Sequence, residues 1–148
     1  MRLERYTFIT GLEFMSFEFV SVGPKGNIIK LVQYTKIDER GVYNLSFGDK
    51  NSVTGEIDDI VITNNDDSQK VLATVASTAY VFTEKYPNTW IYITGSTPSR
   101  TRLYRMAITI YFEELAEIFD IYGVIAEKLY EFEKNINYEA FLLTLKNH

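Results

Sequence analysis

The residues best suited to chemistry lie in one short segment, Gly95–Arg105, which combines hydroxyl side chains with arginines. Thr97 followed by Pro98 is typical of a helix N-cap with proline at the first helical position. A helix N-terminus offers unpaired backbone N–H groups and a partial positive charge, and proteins use both to bind phosphates and carboxylates. The sequence therefore predicts an anion-binding site here. The predicted ligand-binding residues are Ser96, Thr97, Ser99, Arg100, Arg102 and Arg105.

The arginines of this segment need a negative partner. An exposed cation near the positive end of a helix dipole is unfavourable by roughly 0.3–1 kcal/mol. Arg102 and Arg105 share a helix face on which they can hold one anion. That anion is either a carboxylate of the protein, which would make the segment a structural contact, or an external phosphate, nucleotide or nucleic-acid backbone. The carboxylates considered are Glu56, Asp58, Asp59, Asp66 and Asp67.

A second set of candidates is acidic. Glu56 and Asp58 lie two residues apart along a predicted strand. Their side chains therefore share one face and can bind a hard cation such as Mg²⁺. With Asp59 and a nearby lysine, the pattern is compatible with a metal-dependent nuclease or phosphotransferase. The spacing is generic, and helix capping explains the aspartates that follow. No metal site, cofactor or catalytic residue is assigned, and whether the protein is an enzyme stays open.

Composition narrows the possible chemistry. The 148-residue chain has no cysteine and one histidine, His148, so disulfides, thiolate metal sites and histidine-based catalytic triads are not expected. Its net charge of −5 argues against binding nucleic acid through a general basic field. The charged N-terminal residues do not resemble a signal peptide, and no apolar run reaches membrane-spanning length. A cytoplasmic protein without membrane contact is expected.

The elements that must position these residues follow from hydrophobic periodicity, which predicts one α+β domain over residues 1–148. Alternating or β-branched runs predict four N-terminal strands in an antiparallel meander, with later strands in addition. Two amphipathic helices are predicted to pack against this sheet. The predicted strands are Phe14–Val22, Asn27–Ile37, Val42–Phe47, Ile57–Thr63, Trp90–Thr94, Phe119–Ile125 and Tyr138–Lys146. The predicted helices are Asp67–Tyr86, with a capping box formed by Asp66 and Gln69, and Pro98–Ile118.

Aromatic residues on the early strands allow two interpretations. Aromatic side chains fill a sheet core well, and they also stack on single-stranded bases. Few lysines or arginines alternate with these rings and no RNA-recognition motif is present, so core packing is favoured. A homodimer formed through an aromatic surface is a further alternative. The residues concerned are Phe17, Phe19, Tyr34, Tyr43 and Phe47.

Five stretches of the sequence together resemble a family of short uncharacterised bacterial proteins that occurs mainly in Bacteroidetes. These stretches are Asn44–Asp49, Ile57–Asp59, Asn64–Asp67, Lys70–Val75 and Gly95–Arg105. The resemblance covers nearly the whole chain and implies a free-standing single-domain protein. It implies no activity, ligand or catalytic residue.

The function predicted from the sequence is a small binding module. Its helix N-terminus and arginine cluster would hold a phosphate-bearing ligand or nucleic acid. A metal-dependent nuclease or phosphotransferase that uses the strand carboxylates is the first alternative. A structural or homo-oligomeric protein without a ligand is the second.

Overall fold

The computed structural model describes residues 4–58 and 63–146. Within these residues the chain forms eight β-strands and three α-helices, so the protein is α+β. The strands are β1 (Ile9–Thr10), β2 (Ser16–Gly23), β3 (Gly26–Lys36), β4 (Val42–Asp49), β5 (Trp90–Ile93), β6 (Phe119–Ile125), β7 (Lys128–Glu131) and β8 (Ala140–Leu145). The helices are α1 (Ser68–Lys85), α2 (Pro98–Ile110) and α3 (Phe112–Ile118).

The sheet is mostly antiparallel, with the strand order β1-β2-β3-β4-β5-β8-β6-β7. β4 and β5 pair in parallel, and α1 lies in the connection between them that a parallel pair requires. Contacts divide the chain into two compact units, each built from two stretches of sequence. The first contains Met1–Thr35 and Ser46–Phe82, and the second Lys36–Leu45 and Thr83–His148. One domain over the whole chain stays a prediction.

Three of the four predicted N-terminal strands are confirmed as β2, β3 and β4. The turn between β2 and β3 is also as predicted, and Gly26 there has a φ of +92°, which favours glycine. The fourth predicted strand, Ile57–Thr63, lies mostly outside the described residues, and Ile57 makes an isolated bridge to Lys50. β1 and β7 were not predicted, because both are exposed along their whole length and so show no alternation of buried apolar and exposed polar residues.

The predicted helix Pro98–Ile118 is wrong in one respect, because the structure divides it into α2 and α3 at Tyr111. The backbone of Tyr111 has φ −103° and ψ 15°, outside the helical range. The break falls in the run Ile108–Phe112, where β-branched and aromatic residues lower helix propensity. Helical hydrogen bonds continue on both sides, from Tyr111 N–H to the Ala107 carbonyl (3.0 Å) and from Leu115 N–H to the Tyr111 carbonyl (2.9 Å).

In the first unit, aromatic rings from β2, β3 and α1 pack together. Phe17 meets the edge of Tyr34 with ring centroids 5.9 Å apart, and Tyr34 stacks on Phe82 at 4.3 Å. The Tyr34 hydroxyl lies 2.9 Å from the Thr78 hydroxyl, and burial raises the pKa of this phenol. Core packing is thereby confirmed for most of the aromatic residues considered above. Phe17, Phe19, Tyr34 and Phe47 are buried, and Tyr43 is half-buried.

A charged pair is also buried in the first unit. Lys30 on β3 is 1% exposed and forms an ion pair with Asp49 on β4. Its ammonium also donates to the Thr63 carbonyl at 2.8 Å. The second carboxylate oxygen of Asp49 accepts from the Thr63 N–H (3.0 Å) and hydroxyl (2.6 Å). The pair therefore fixes the position of Thr63 against two strands.

The start of α1 differs from the predicted capping box. Asp67 immediately precedes the helix, and its carbonyl accepts from the Val71 N–H at 2.9 Å. Asp66 has a positive φ of 59° and lies outside the helix. The Asp67 carboxylate accepts from the hydroxyls of Tyr6 (2.6 Å) and Ser21 (2.5 Å). This aspartate therefore has a structural role, because it holds the start of α1 against β2.

In the second unit, residues of β5, β6 and β8 form the core. Ile91, Ile121, Phe141 and Leu143 are buried, and buried residues alternate with half-exposed ones along β5 and most of β6. On β8, Ala140 is buried beside Phe141. α2 and α3 contribute buried side chains at helical spacing, Tyr104, Ile108, Tyr111 and Leu115.

Replacing Tyr111 with phenylalanine is expected to leave the free energy of unfolding unchanged or to raise it by up to about 1 kcal/mol. The Tyr111 hydroxyl is buried and has no hydrogen-bond partner among the described residues, so its removal relieves an unsatisfied group. Urea unfolding of both proteins measures the difference. Tyr34→Phe is the control, and it should destabilise by about 1 kcal/mol because the hydroxyl lost there is hydrogen-bonded. Equal destabilisation by the two substitutions would contradict the expectation.

Candidate functional site

The candidate site begins where the chain leaves β5 and turns into α2. Gly95 lies so close to the first turn of the helix that a Cβ atom there would be 2.4 Å from the backbone nitrogen of Thr101. The Gly95 N–H donates to the Thr101 hydroxyl at 3.0 Å. Glycine is therefore required by this close approach, which holds the loop tightly against the helix start.

The predicted N-cap of α2 is confirmed. The Thr97 side chain accepts a hydrogen bond from the Arg100 N–H at 3.3 Å, and Pro98 is the first helical residue. No acidic residue lies in the first turn of α2. The positive end of this helix therefore has arginines beside it and no carboxylate of its own.

The opposite side of the site is the loop that leads into β8. The Thr94 hydroxyl donates to the Glu139 carbonyl at 3.1 Å, which joins this loop to the end of β5. A guanidinium nitrogen of Arg105 donates to the side-chain oxygen of Asn137. Tyr138 fixes the position of this loop. Its side chain is buried, and its hydroxyl accepts a hydrogen bond from the Glu133 N–H at 3.0 Å.

A cavity of about 730 Å³ lies between these two walls. The α2 wall includes the predicted residues Ser96, Thr97, Arg102 and Arg105, with Gly95, Pro98 and Thr101 beside them. The loop wall consists of Asn137, Tyr138 and Glu139. Ser99 and Arg100, the other two predicted site residues, do not line the cavity. Arg100 instead donates to the Ser96 hydroxyl at 3.3 Å, next to the rim.

The arginines find no carboxylate partner in residues 4–58 and 63–146, where none of the three forms an ion pair. The Arg102 side chain is exposed, and no hydrogen bond joins it to another described residue. Asp59, one of the carboxylates considered as a partner, lies outside the described residues. Glu139 brings one negative charge to the cavity, and one of its oxygens accepts from the Ala126 N–H at 2.5 Å.

A buried phenol belongs to the same helix as these arginines. Burial raises the pKa of Tyr104, and the charge of Arg100 partly opposes that shift. The phenol therefore stays protonated at neutral pH and does not act as a base there. The donors available to an anion in the cavity are therefore the guanidinium groups of Arg102 and Arg105 and the hydroxyls of Ser96 and Thr97.

Comparison with known families places the chain. The model of one family, described as a family of unknown function (DUF6934), matches residues 2–146. The chain belongs to the DUF6934 family. No curated protein and no solved structure matches this DUF6934 chain. The resemblance to a family without an assigned activity is therefore confirmed over nearly the whole sequence.

Three cavity residues of the DUF6934 protein were not predicted from sequence. Asn137, Tyr138 and Glu139 lie more than thirty residues from the arginine segment, and only the pairing of β5 with β8 brings them near it. A polar loop before a strand carries no signal of such a contact. Gly123, against which the Tyr138 ring packs, is the nearest thing to a signal, since an isolated glycine in a strand indicates close approach by another group.

The metal site considered for Glu56 and Asp58 of the DUF6934 protein has no further ligand among the described residues. Within the described parts of the chain, no three or more histidine, cysteine, aspartate or glutamate side chains lie together as a metal site requires. Asp58 donates its backbone N–H to the Asp49 carbonyl at 2.8 Å, beside the buried ion pair.

No helix in the described parts of the chain has both the length and the apolar character needed to cross a bilayer.

Proposed function

We propose that this protein is a binding module for a small phosphate-bearing ligand, held between the start of α2 and the loop Asn137–Glu139. One observation carries the proposal: Arg102 and Arg105 line the same cavity, and neither has a carboxylate partner in the described residues. A guanidinium presents paired donors that match a phosphate, and its charge strengthens each hydrogen bond.

Each side chain has a distinct part in the proposed binding. Arg102 is free to contact the phosphate directly, whereas Arg105 is oriented by its hydrogen bond to Asn137. The hydroxyls of Ser96 and Thr97 lie at the start of the helix, where backbone N–H groups also favour an anion. Arg100 positions Ser96 and adds to the local positive charge.

Glu139 favours a small ligand over a nucleic-acid backbone. A carboxylate in the cavity repels a row of phosphates but can accept a hydrogen bond from a hydroxyl or amino group of the ligand. The chain also carries a net charge of −5, which opposes long polyanions. A nucleoside monophosphate or sugar phosphate, with its anion at the arginines and its hydroxyls near Glu139, satisfies both ends of the cavity.

Calorimetric titration with inorganic phosphate, a nucleoside monophosphate, a sugar phosphate and a single-stranded oligonucleotide tests this proposal. We expect the two small organic phosphates to bind most tightly. Arg102→Ala and Arg105→Ala should each weaken that binding about 10-fold or more, because a charge-assisted hydrogen bond contributes about 1.5–3 kcal/mol. Binding should weaken moderately as salt concentration rises.

The control is Arg40→Ala, which removes an exposed arginine that is paired with Asp38 and does not line the cavity. This variant should bind the ligands as the unmodified protein does. The proposal is wrong if no phosphate compound binds, or if Arg40→Ala weakens binding as much as the cavity substitutions. Preferred binding of the oligonucleotide would identify nucleic acid as the ligand instead.

A further inference from the structure

The outward side of α2 carries an apolar stripe that this protein leaves in solvent. Leu103, Met106 and Ile110 are 36%, 48% and 62% exposed. Their spacing of three and four residues places them along one line of the helix. Tyr104 and Ile108, on the opposite side of the same helix, are buried in the second unit. A helix that is apolar on both sides has a second surface suited to protein contact.

Opposite charges flank this stripe at its two ends. Arg102 lies beside Leu103, and Glu113 lies in the first turn of α3. Both side chains are exposed, and neither side chain forms an ion pair or hydrogen bond with another described residue. Arg102 and Glu113 are eleven residues apart, which is about three helical turns. Helical hydrogen bonds continue on both sides of the break at Tyr111, so the two side chains lie on about the same flank of the helices.

We propose that the stripe is a contact between two copies of this chain, with their α2 helices antiparallel about a twofold axis near Met106. A twofold contact is self-complementary, because each patch meets its own copy in reverse. It would place Leu103 opposite Ile110 of the second copy. Arg102 would then lie beside Glu113 of the second copy, and the same pair would form twice. The second copy would thus supply a negative group near the positive end of α2.

This inference goes beyond the proposed ligand binding and is independent of it except at Arg102, which borders both the stripe and the cavity. Thr97, Arg105 and Asn137 belong to the cavity and not to the stripe. A single pair of helices lies at the low end of interface sizes, so dissociation constants of about 1–100 µM are expected.

Sedimentation equilibrium between about 1 and 500 µM tests the proposal. The unmodified protein should change from monomer to dimer over this range. Met106→Glu places two like charges near the twofold axis and should weaken dimerisation more than 10-fold, as should Ile110→Lys. The matched control is Leu129→Lys, which should leave dimerisation unchanged. Leu129 lies on β7, outside the stripe, and is as exposed as Met106. Circular dichroism establishes whether each variant is folded. If only one of Met106→Glu and Ile110→Lys folds, that variant alone still tests the contact.

A charge exchange tests the antiparallel arrangement. Glu113→Arg alone should weaken dimerisation, and the double variant Arg102→Glu/Glu113→Arg should restore it. A monomer at all concentrations, or a dimer that Met106→Glu and Ile110→Lys leave intact, would overturn the proposal. Failure of restoration would overturn the helix orientation. Met106→Glu should still bind the phosphate compound, so loss of the dimer and loss of ligand binding are separately measurable.

Discussion

Replacing Lys30 with methionine is expected to lower the free energy of unfolding by about 3–5 kcal/mol. The substitution keeps the length and apolar stem of the side chain but removes its charge. Asp49 is then left buried without its cation, although Thr63 still donates two hydrogen bonds to it. Removing one member of a buried pair is much more destabilising than the pair itself is stabilising, because the remaining charge stays out of water.

Chemical unfolding monitored by circular dichroism measures this effect. Lys36→Met is the matched control, since Lys36 lies on the same strand and is also paired, with Glu39, but is 48% exposed. Its loss should change stability by no more than about 1 kcal/mol. The double variant Lys30→Met/Asp49→Asn should be more stable than Lys30→Met, because it removes the uncompensated charge. Similar losses for Lys30→Met and Lys36→Met would show that the pair is not buried in solution.

Replacing Gly123 with alanine is expected to destabilise the protein by about 1–3 kcal/mol and to weaken ligand binding as well. A Cβ atom at Gly123 would lie 2.2 Å from Cδ1 of Tyr138, so the ring must move. The ring cannot move easily, because the Tyr138 hydroxyl is hydrogen-bonded and Phe132 and Phe141 lie beside it. Asn137 and Glu139 flank this tyrosine and line the cavity, so their positions should change with it.

A double-mutant cycle measures the coupling directly. In a Tyr138→Leu background the additional Gly123→Ala substitution should be much less destabilising, because the ring that it displaces is absent. Titration of the folded Gly123→Ala variant with the phosphate compound then reports the effect on the cavity. Additive losses of stability, or unchanged ligand affinity, would show that the contact between Gly123 and Tyr138 does not position this loop.

The elements of the fold that could be predicted from sequence are those with long, regular patterns. α1 is bounded by Asp67 and Pro87, and the hairpin between β2 and β3 is marked by two glycines and a proline. The pairing of β5 with β4 and β8 carries no comparable signal, because it depends on residues far apart in sequence. The break at Tyr111 was missed because the apolar spacing of the helix continues through it.

The candidate site was predictable on one side only. Thr97 and Pro98 are typical of a helix start, and Arg102 and Arg105 follow at helical spacing. One wall of the cavity therefore comes from a single short segment of the sequence and could be predicted from local patterns. Asn137 and Glu139 reach the other wall through strand pairing, for which the local sequence gives no rule. The apolar stripe was not predicted. Leu103, Met106 and Ile110 stand at helical spacing in the sequence, but periodicity does not distinguish a buried side of a helix from an exposed one.

The place of β8 in the sheet has a consequence for how the chain folds during synthesis. β8 lies between β5 and β6, although α2, α3, β6 and β7 all precede it along the chain. Until it leaves the ribosome, β5 and β6 each present a row of unpaired backbone groups that another chain can occupy. Such non-local pairing slows folding and prolongs that exposure. The wall of the cavity that precedes β8 is therefore completed only after every element of the α2 wall has been synthesised.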